Sequence, residues 1–358
     1  MTTAAAPAVG FRLLRASAVD RLTADAVAIT FEVPPELATE FAFRPGQHLT
    51  LRREVDGADL RRTYSICASA AGGPLRVAVK RLEGGALSTW LCSSLDVGDV
   101  LEVLPPAGRF GPSLDPGRAR RYGLVAAGSG ITPVLSIAAT VLDVEPDSDV
   151  VLLYGNRTSR DVMLLDELSD LKDRWPDRLQ VLHLLSQEEQ ESELLSGRID
   201  RDRLGRLFAT VLPPDEVDEW YLCGPFGLVT EARQVLLDVG ADPGAVHVEL
   251  FHAEAAPARP RPAVARGTRR VTALLHGRST TLAVDPDGDR ILDALLAVRP
   301  DAPYACKGGV CGTCRARVVE GAVEMDVNYA LEPDELAAGV VLTCQSRPVT
   351  DEVRLDYL

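Results

Sequence analysis

Positive charge is scarce in this sequence. Its 358 residues carry 38 Lys and Arg against 52 Asp and Glu, a net charge of −14. Such a surface repels a phosphate backbone and an anionic bilayer alike, so neither nucleic acid nor membrane is an expected partner. Internal repeats and low-complexity tracts are also missing, which argues against solenoids and fibrous assemblies. The opening residues, MTTAAAPAVGFRLLRASAVD, lack the basic segment and apolar stretch of a secretory signal, and a cytoplasmic location is expected. Residues 122–142 carry no charge and mimic a membrane span in length, but Gly128, Gly130 and Pro133 interrupt them where a continuous helix would not tolerate it. A strand, a tight turn and a buried helix are expected there instead.

What remains is the composition of a globular protein, 46% apolar and 25% charged, in a chain longer than one core usually serves. Two Pro- and Gly-rich joints divide it, Leu114 to Gly117 and the stretch AAPARPRPAVARG from Ala255 to Gly267. The expected domains are therefore 1–116, 117–255 and 267–358, with 256–266 as a Pro/Arg linker that can form neither a ladder nor a regular helix. In the first, short β-rich runs (26–33, 47–52, 62–68, 75–80, 100–104) separated by turns predict an antiparallel β-barrel. In the second, strand-like and helix-like runs alternate from Tyr122 to Asp238, which predicts a parallel-sheet α/β domain. The third mixes strands with one helix near 290–298 and reads as a compact α+β unit of β-grasp type.

Seven cysteines are present, four of them in the final 53 residues of the chain. Cys306-Lys-Gly-Gly-Val-Cys311-Gly-Thr-Cys314, with Cys344 further on, has the C-x4-C-x2-C...C spacing of a plant-type [2Fe-2S] site. Soft thiolates suit iron, and three on one short loop can wrap a cluster only if the backbone is unusually free, which Gly308, Gly309 and Gly312 allow. Structural zinc normally shows two C-x2-C pairs, and here there is one; a zinc-holding interaction module is the non-enzymatic alternative. Cys67 and Cys92 lack such company and are expected in cores.

Arg62-Thr63-Tyr64-Ser65 stands in a β-run, where Arg can pair with phosphate, Tyr can lie on a flat ring and a hydroxyl can reach a ring atom. Val79-Lys80-Arg81 follows, then Gly84-Gly85-Ala86-Leu87-Ser88, a glycine turn opening an apolar helix whose free N–H groups can receive a pyrophosphate. Taken singly, Ser88 is an N-cap and Tyr64 a strand aromatic; order and spacing together favour a flavin. Further on, Gly128-Ser-Gly130-Ile-Thr132-Pro133 joins a strand to a helix without the third glycine of a Rossmann fingerprint. After the next strand, Gly155-Asn-Arg157-Thr-Ser-Arg160 offers cations and hydroxyls before any carboxylate, which favours a 2′-phosphate and hence NADPH over NADH; surface pairing of both arginines with Asp161 or Asp166 is the plainer reading.

These runs, with Cys223-Gly224-Pro225 and Glu249-Leu250-Phe251, resemble the ferredoxin-NADP reductase superfamily. The resemblance implies FAD, with FMN as a substitute, held by Arg62, Thr63, Tyr64, Ser65, Val79, Lys80, Gly85, Ala86, Leu87 and Ser88. It implies a nicotinamide nucleotide at Gly128, Gly130, Thr132, Arg157, Arg160, Cys223, Gly224, Pro225 and Phe251, and catalytic placement by Ser65, Cys223 and Phe251. With the C-terminal ferredoxin unit ligated by Cys306, Cys311, Cys314 and Cys344, the order of parts resembles reductase components of multicomponent oxygenases. Tyr304 to Arg315, Gly321 to Leu331 and Leu342 to Pro348 are similar to the reductase subunits of phenylacetyl-CoA epoxidases, and the reductases of steroid and aromatic-ring hydroxylases are the alternative. The implied partners are the subunits of a monooxygenase, expected to be diiron, and NADPH. Asp326, Glu332, Asp334 and Glu335 are candidates to steer a basic partner or are plain solvent-facing charge.

Overall fold

The computed structural model describes residues 10–55, 58–251 and 267–357. The expected linker 256–266 lies outside the described residues. The chain divides into two compact units, Met1–Phe251 and His252–Leu358.

The first unit holds two sheets. One contains β1 (Arg12–Thr23), β2 (Ala26–Glu32), β3 (His48–Val55), β4 (Ala58–Ser65), β5 (Arg76–Lys80) and, after helix α1 (Ala86–Ser93), β6 (Val100–Val103). The order β4-β3-β6-β1-β2-β5 is antiparallel throughout, and a bridge between Ile66 and Val77 joins its ends into the barrel that the turn spacing predicts. Alternate residues such as Leu14, Ile29, Leu49, Leu51, Val77 and Val103 point inward, and Leu87 and Leu91 of α1 pack on the same core.

The other sheet is wholly parallel. It is built from β7 (Arg121–Ala127), α2 (Ile131–Val144), β8 (Asp149–Asn156), α3 (Leu165–Arg174), β9 (Leu179–Leu185), α4 (Arg201–Thr210), β10 (Glu219–Gly224), α5 (Phe226–Asp238) and β11 (Val246–Leu250), with strand order β11-β10-β7-β8-β9. The uncharged stretch resolves into β7, a short turn and α2, whose residues are mostly buried. Among the described residues no helix is long and apolar enough to cross a membrane. Because the chain proceeds from β7 to β8 and β9 on one side and returns to β10 and β11 on the other, the order reverses between β7 and β10. Ligands of open parallel sheets bind at the carboxyl ends of the strands flanking such a reversal.

Barrel and parallel sheet are locked together. Ser136 donates to the Ala68 carbonyl at 2.7 Å, the Ala70 amide donates to Thr140 Oγ1 at 2.9 Å and Ser69 donates to Asp143 at 2.7 Å. Arg76 of the barrel pairs with Glu167 of α3 and with Asp20. Both sheets contribute to one apolar cluster that includes Ala28, Ala78, Phe110, Leu124, Ile131 and Tyr221.

The second unit is a mixed sheet of order β13-β12-β18-β14-β16 with a separate β15-β17 pair. Its elements are β12 (Arg269–Leu275), β13 (Arg278–Val284), α6 (Ile291–Leu296), β14 (Arg315–Glu320), β15 (Val323–Met325), α7 (Pro333–Ala337), β16 (Val340–Leu342), β17 (Ser346–Pro348) and β18 (Glu352–Tyr357). β12 and β18 run parallel at its centre, and α6 packs its Ile291, Leu292 and Leu295 into the core, the grasp arrangement expected.

Candidate functional site: a thiolate loop and a flavin–nucleotide crevice

The loop between α6 and β14 carries Cys306, Cys311 and Cys314, and Cys344 follows β16. The four sulfurs associate two by two. Cys306 hydrogen-bonds with Cys311, which holds the Cys306 thiol below its ordinary range, and Cys344 is lowered first by its hydrogen bond with Cys314. The partner thiols Cys311 and Cys314 are pushed up, chiefly by those same hydrogen bonds and then by burial. Two thiol pairs match a donor set for two irons better than one tetrahedral centre. Loop amides supply the remaining order. Gly308 N–H donates to Cys306 Sγ at 3.3 Å, the amides of Val310 and Cys311 also face Cys306, and Gly309 N–H faces Cys344. That inward turn requires a left-handed backbone, adopted by Gly309 at φ +77° and by Lys307 at +53°. The donor chemistry therefore fits a [2Fe-2S] cluster.

At the barrel mouth, β4 ends in the anticipated quartet. Ser65 is buried and donates to Glu249 Oε2 at 3.2 Å. Tyr64 packs against the barrel core, while Arg62 is exposed and pairs with no carboxylate among the described residues. Arg53 lies 3.5 Å over the ring of Trp90 beside them. The glycine turn before α1 is held by Ser88, whose hydroxyl accepts from the Leu82 amide and donates to the Gly85 carbonyl, both at 3.1 Å. Its side chain thus shapes the turn, and backbone N–H groups of Ala86 and Leu87 are what face outward from a helix start. Lys80 sits 3.6 Å from Asp25, and the Val79 side chain is turned into the barrel core, leaving only its backbone for a ligand. An exposed cation, a half-buried aromatic and a free helix start in this order fit the pyrophosphate and ring of a flavin nucleotide.

The reversal point of the parallel sheet holds the glycine turn and the Cys-Gly-Pro turn side by side. A Cβ on Gly130 would come within 2.1 Å of the Cys223 carbonyl, so glycine is what lets the two loops touch. Gly128 has φ +53° and open space before it, and its carbonyl accepts from Tyr154 Oη at 3.1 Å. Thr132 is buried and donates to the Ser129 carbonyl at 3.0 Å. Cys223 pairs in register with Glu249 on β11; burial first, then the Glu249 charge, pushes its thiol well up, so it stands as a neutral sulfhydryl. Gly224 lies against Ala127, Pro225 caps α5, and Phe251 follows β11 and packs against the shared apolar cluster. Glu249, quoted in the sequence only as part of the run ending in Phe251 and given no role there, stands in this crevice between Ser65 and Cys223. Loss of hydration raises its carboxyl to about 8, opposed only in part by the Ser65 hydrogen bond. The signal was available as a lone carboxylate in the apolar run Val-His-Val-Glu-Leu.

After β8, Arg157 donates to Asp161 at 2.6 Å, the plainer of its two readings, while Arg160 is exposed. Both oxygens of Asp161 are occupied, the second by the amide and hydroxyl of Thr158. Two of the four acidic steering candidates need correction. The Asp326 carboxylate is buried between Arg290 at 3.0 Å and Arg347 at 3.4 Å, and Glu335 is largely covered against Arg315 at 3.1 Å. Glu332 shares a capping box with Glu335. Asp326 and Glu335 are thus satisfied internally, by cations that lie far away in sequence, whereas Glu332 and Asp334 are exposed.

Three family descriptions match the chain: an oxidoreductase FAD-binding domain over residues 14–111, an oxidoreductase NAD-binding domain over 124–234 and a 2Fe-2S iron-sulfur cluster binding domain over 274–349. The chain is 45% identical over 347 residues to a component of the 1,2-phenylacetyl-CoA epoxidase of Escherichia coli strain K12, covering 97% of this chain and 98% of that one. It is 39% identical over 360 residues to the ferredoxin reductase component of 3-ketosteroid-9-alpha-monooxygenase from Rhodococcus rhodochrous, covering 96% of each. Among solved structures it resembles phthalate dioxygenase reductase, described as a modular structure for electron transfer from pyridine nucleotides to [2Fe-2S], with a TM-score of 0.59, 26% identity, and coverage of 97% of this chain and 98% of that one. The chain belongs to the family of oxidoreductases that join FAD-binding, NAD-binding and 2Fe-2S domains in one reductase component.

Proposed function

We propose that this chain is the NADPH-dependent reductase component of a cytoplasmic multicomponent monooxygenase, of the phenylacetyl-CoA epoxidase type, with domains running over 1–116, 117–255 and 267–358. The observation that carries the reading is the contact of Ser65 with Glu249, which brings the flavin-type motif of the barrel against the Cys223 turn of the parallel sheet. When bound, FAD and the [2Fe-2S] cluster supply the conversion of a hydride into single electrons. The chain's residues supply placement. Arg62 and the α1 amides hold the phosphates, Tyr64 and Ser65 meet the ring, and Gly128, Gly130 and Gly224 let the nicotinamide nucleotide approach the backbone. Phe251 covers the ring face, and Cys306, Cys311, Cys314 and Cys344 ligate the cluster.

NADPH is favoured because Asp161, the first carboxylate after β8, is consumed by Thr158 and Arg157, leaving Arg160 exposed for a 2′-phosphate. A cytoplasmic setting suits seven cysteines without a disulfide among the described residues. The 39% identity to a steroid monooxygenase component supports a second reading, in which the acceptor is a steroid hydroxylase. The test is reconstitution of the purified chain with the oxygenase subunits of each system. Substrate turnover with phenylacetyl-CoA and an NADPH kcat/KM about tenfold or more above that for NADH are expected. Turnover only with the steroid system selects the second reading, and equal or better use of NADH overturns the nucleotide assignment.

A further inference from the structure

Gln345 follows the fourth cysteine directly, and its amide is almost fully buried. The side chain turns back over the cluster loop. Its Nε2 donates to the Lys307 carbonyl at 2.8 Å and lies 3.6 Å from Cys344 Sγ as a donor. Its Cγ lies against Gly309, where a Cβ would approach it to 3.1 Å. On the other side, the Gln345 carbonyl receives the Asp326 amide at 2.8 Å, and the Asp326 carboxylate is itself held between Arg290 and Arg347. The amide orientation is dictated by its neighbours. A carbonyl oxygen and a sulfur both need a donor, whereas Oε1 on the far side has no partner among the described residues.

A buried amide spent on a sulfur, at the cost of leaving its own oxygen unsatisfied, requires an explanation beyond packing. We propose that Gln345 is a positioning and tuning residue for the iron-sulfur centre: it ties the left-handed Lys307 peptide of the three-cysteine loop to Cys344 and, through its hydrogen bond to that sulfur, raises the reduction potential. This role rests on Cys306, Cys311, Cys314 and Cys344 being the [2Fe-2S] ligands. A donor to a ligand sulfur stabilises the more negative, reduced charge state more than the oxidised one, so it makes the centre easier to reduce. The effect would make transfer into the ferredoxin unit more favourable; Gln345 belongs to a different compact unit from the residues of the flavin crevice.

The test uses the full-length holoprotein with Gln345→Leu, which keeps the bulk and removes the donor, and Gln345→Met as a second apolar variant. Iron, inorganic sulfide and visible absorbance are measured first, then the midpoint potential by dye-mediated titration followed by electron paramagnetic resonance. A loaded variant is expected to have a lower potential, shifting the electron equilibrium against the cluster by about tenfold, or 59 mV for one electron. Loaded Leu and Met variants that both titrate at the wild-type potential overturn the proposal. So does a donor-retaining Gln345→Asn that lowers the potential as far as Leu does. Wild-type protein lacking iron and sulfide overturns the cluster assignment itself, a distinguishable result. If both apolar variants fold but lose iron while Asn retains it, the tie to Lys307 and Cys344 is supported by its loading requirement.

Discussion

At the scale of single residues, the most consequential group is Glu249. Its carboxyl is raised from 4.5 to about 8 because the crevice withholds water, with only Ser65 donating in compensation. A carboxyl whose folded-state value lies above its unfolded one favours the protonated native chain, so its contribution is intact below pH 4.5 and is lost as pH rises through 8. Glu249→Gln should therefore gain stability relative to the wild type across that window, by about 1–3 kcal/mol at the alkaline end. Urea midpoints of both proteins at acid and alkaline pH read this directly; a difference independent of pH would refute the buried-carboxyl account. Ser65→Ala removes the donor from the same contact. Anaerobic stopped-flow should show flavin reduction by NADPH slowed about tenfold or more at unchanged flavin content, because hydride transfer depends on alignment. Reduction at the wild-type rate would remove Ser65 from the site.

At the scale of elements, the crevice exists because two loops from strands far apart in sequence touch at the sheet's reversal point. Gly130→Ala puts a methyl group within 2.1 Å of the Cys223 carbonyl, which belongs to backbone and cannot swing aside. The expected result is a KM for NADPH raised about tenfold and a loss of about 1–3 kcal/mol in stability, with iron content unchanged; nucleotide titration and urea unfolding on one preparation check both. Much of this level was legible in the sequence. The strands β2 to β6, β7 to β10 and helices α2 and α5 follow apolar runs bounded by Gly and Pro. Strand β1 was not, because Arg12 shares the parity of buried Leu14 and Ala16, Leu13 is exposed, and a register shift after Ala16 interrupts the alternation. Helix α4 was hidden by Gly205 and by charges at 201–203, and its caps emerge only when Asp200 is seen accepting from Arg203 N–H. The cysteine loop was legible from spacing alone, whereas the Arg290–Asp326–Arg347 group was not, since a one-dimensional reading leaves Asp326 as ordinary surface charge.

At the scale of the whole molecule, the sequence order of parts imposes a division of labour. The crevice built from β4, β7, β10 and β11 lies within the first unit, and the four thiols lie within the second. Chemistry at the nicotinamide involves an electron pair, whereas delivery by an iron-sulfur centre involves one electron at a time, so the two units can be uncoupled by a change confined to one of them. Cys314 is suited to this, being buried with Cys344 and remote in sequence from every residue of the crevice. Cys314→Ser should leave NADPH-dependent reduction of ferricyanide, which draws on the flavin unit, within about twofold of the wild type. Turnover of the reconstituted oxygenase should fall by about a hundredfold, along with the loss of the protein's iron and sulfide. Both activities falling together at intact flavin content would mean that the units depend on each other for their fold, and an oxygenase turnover that persists without iron would place the outgoing electron path on the flavin unit.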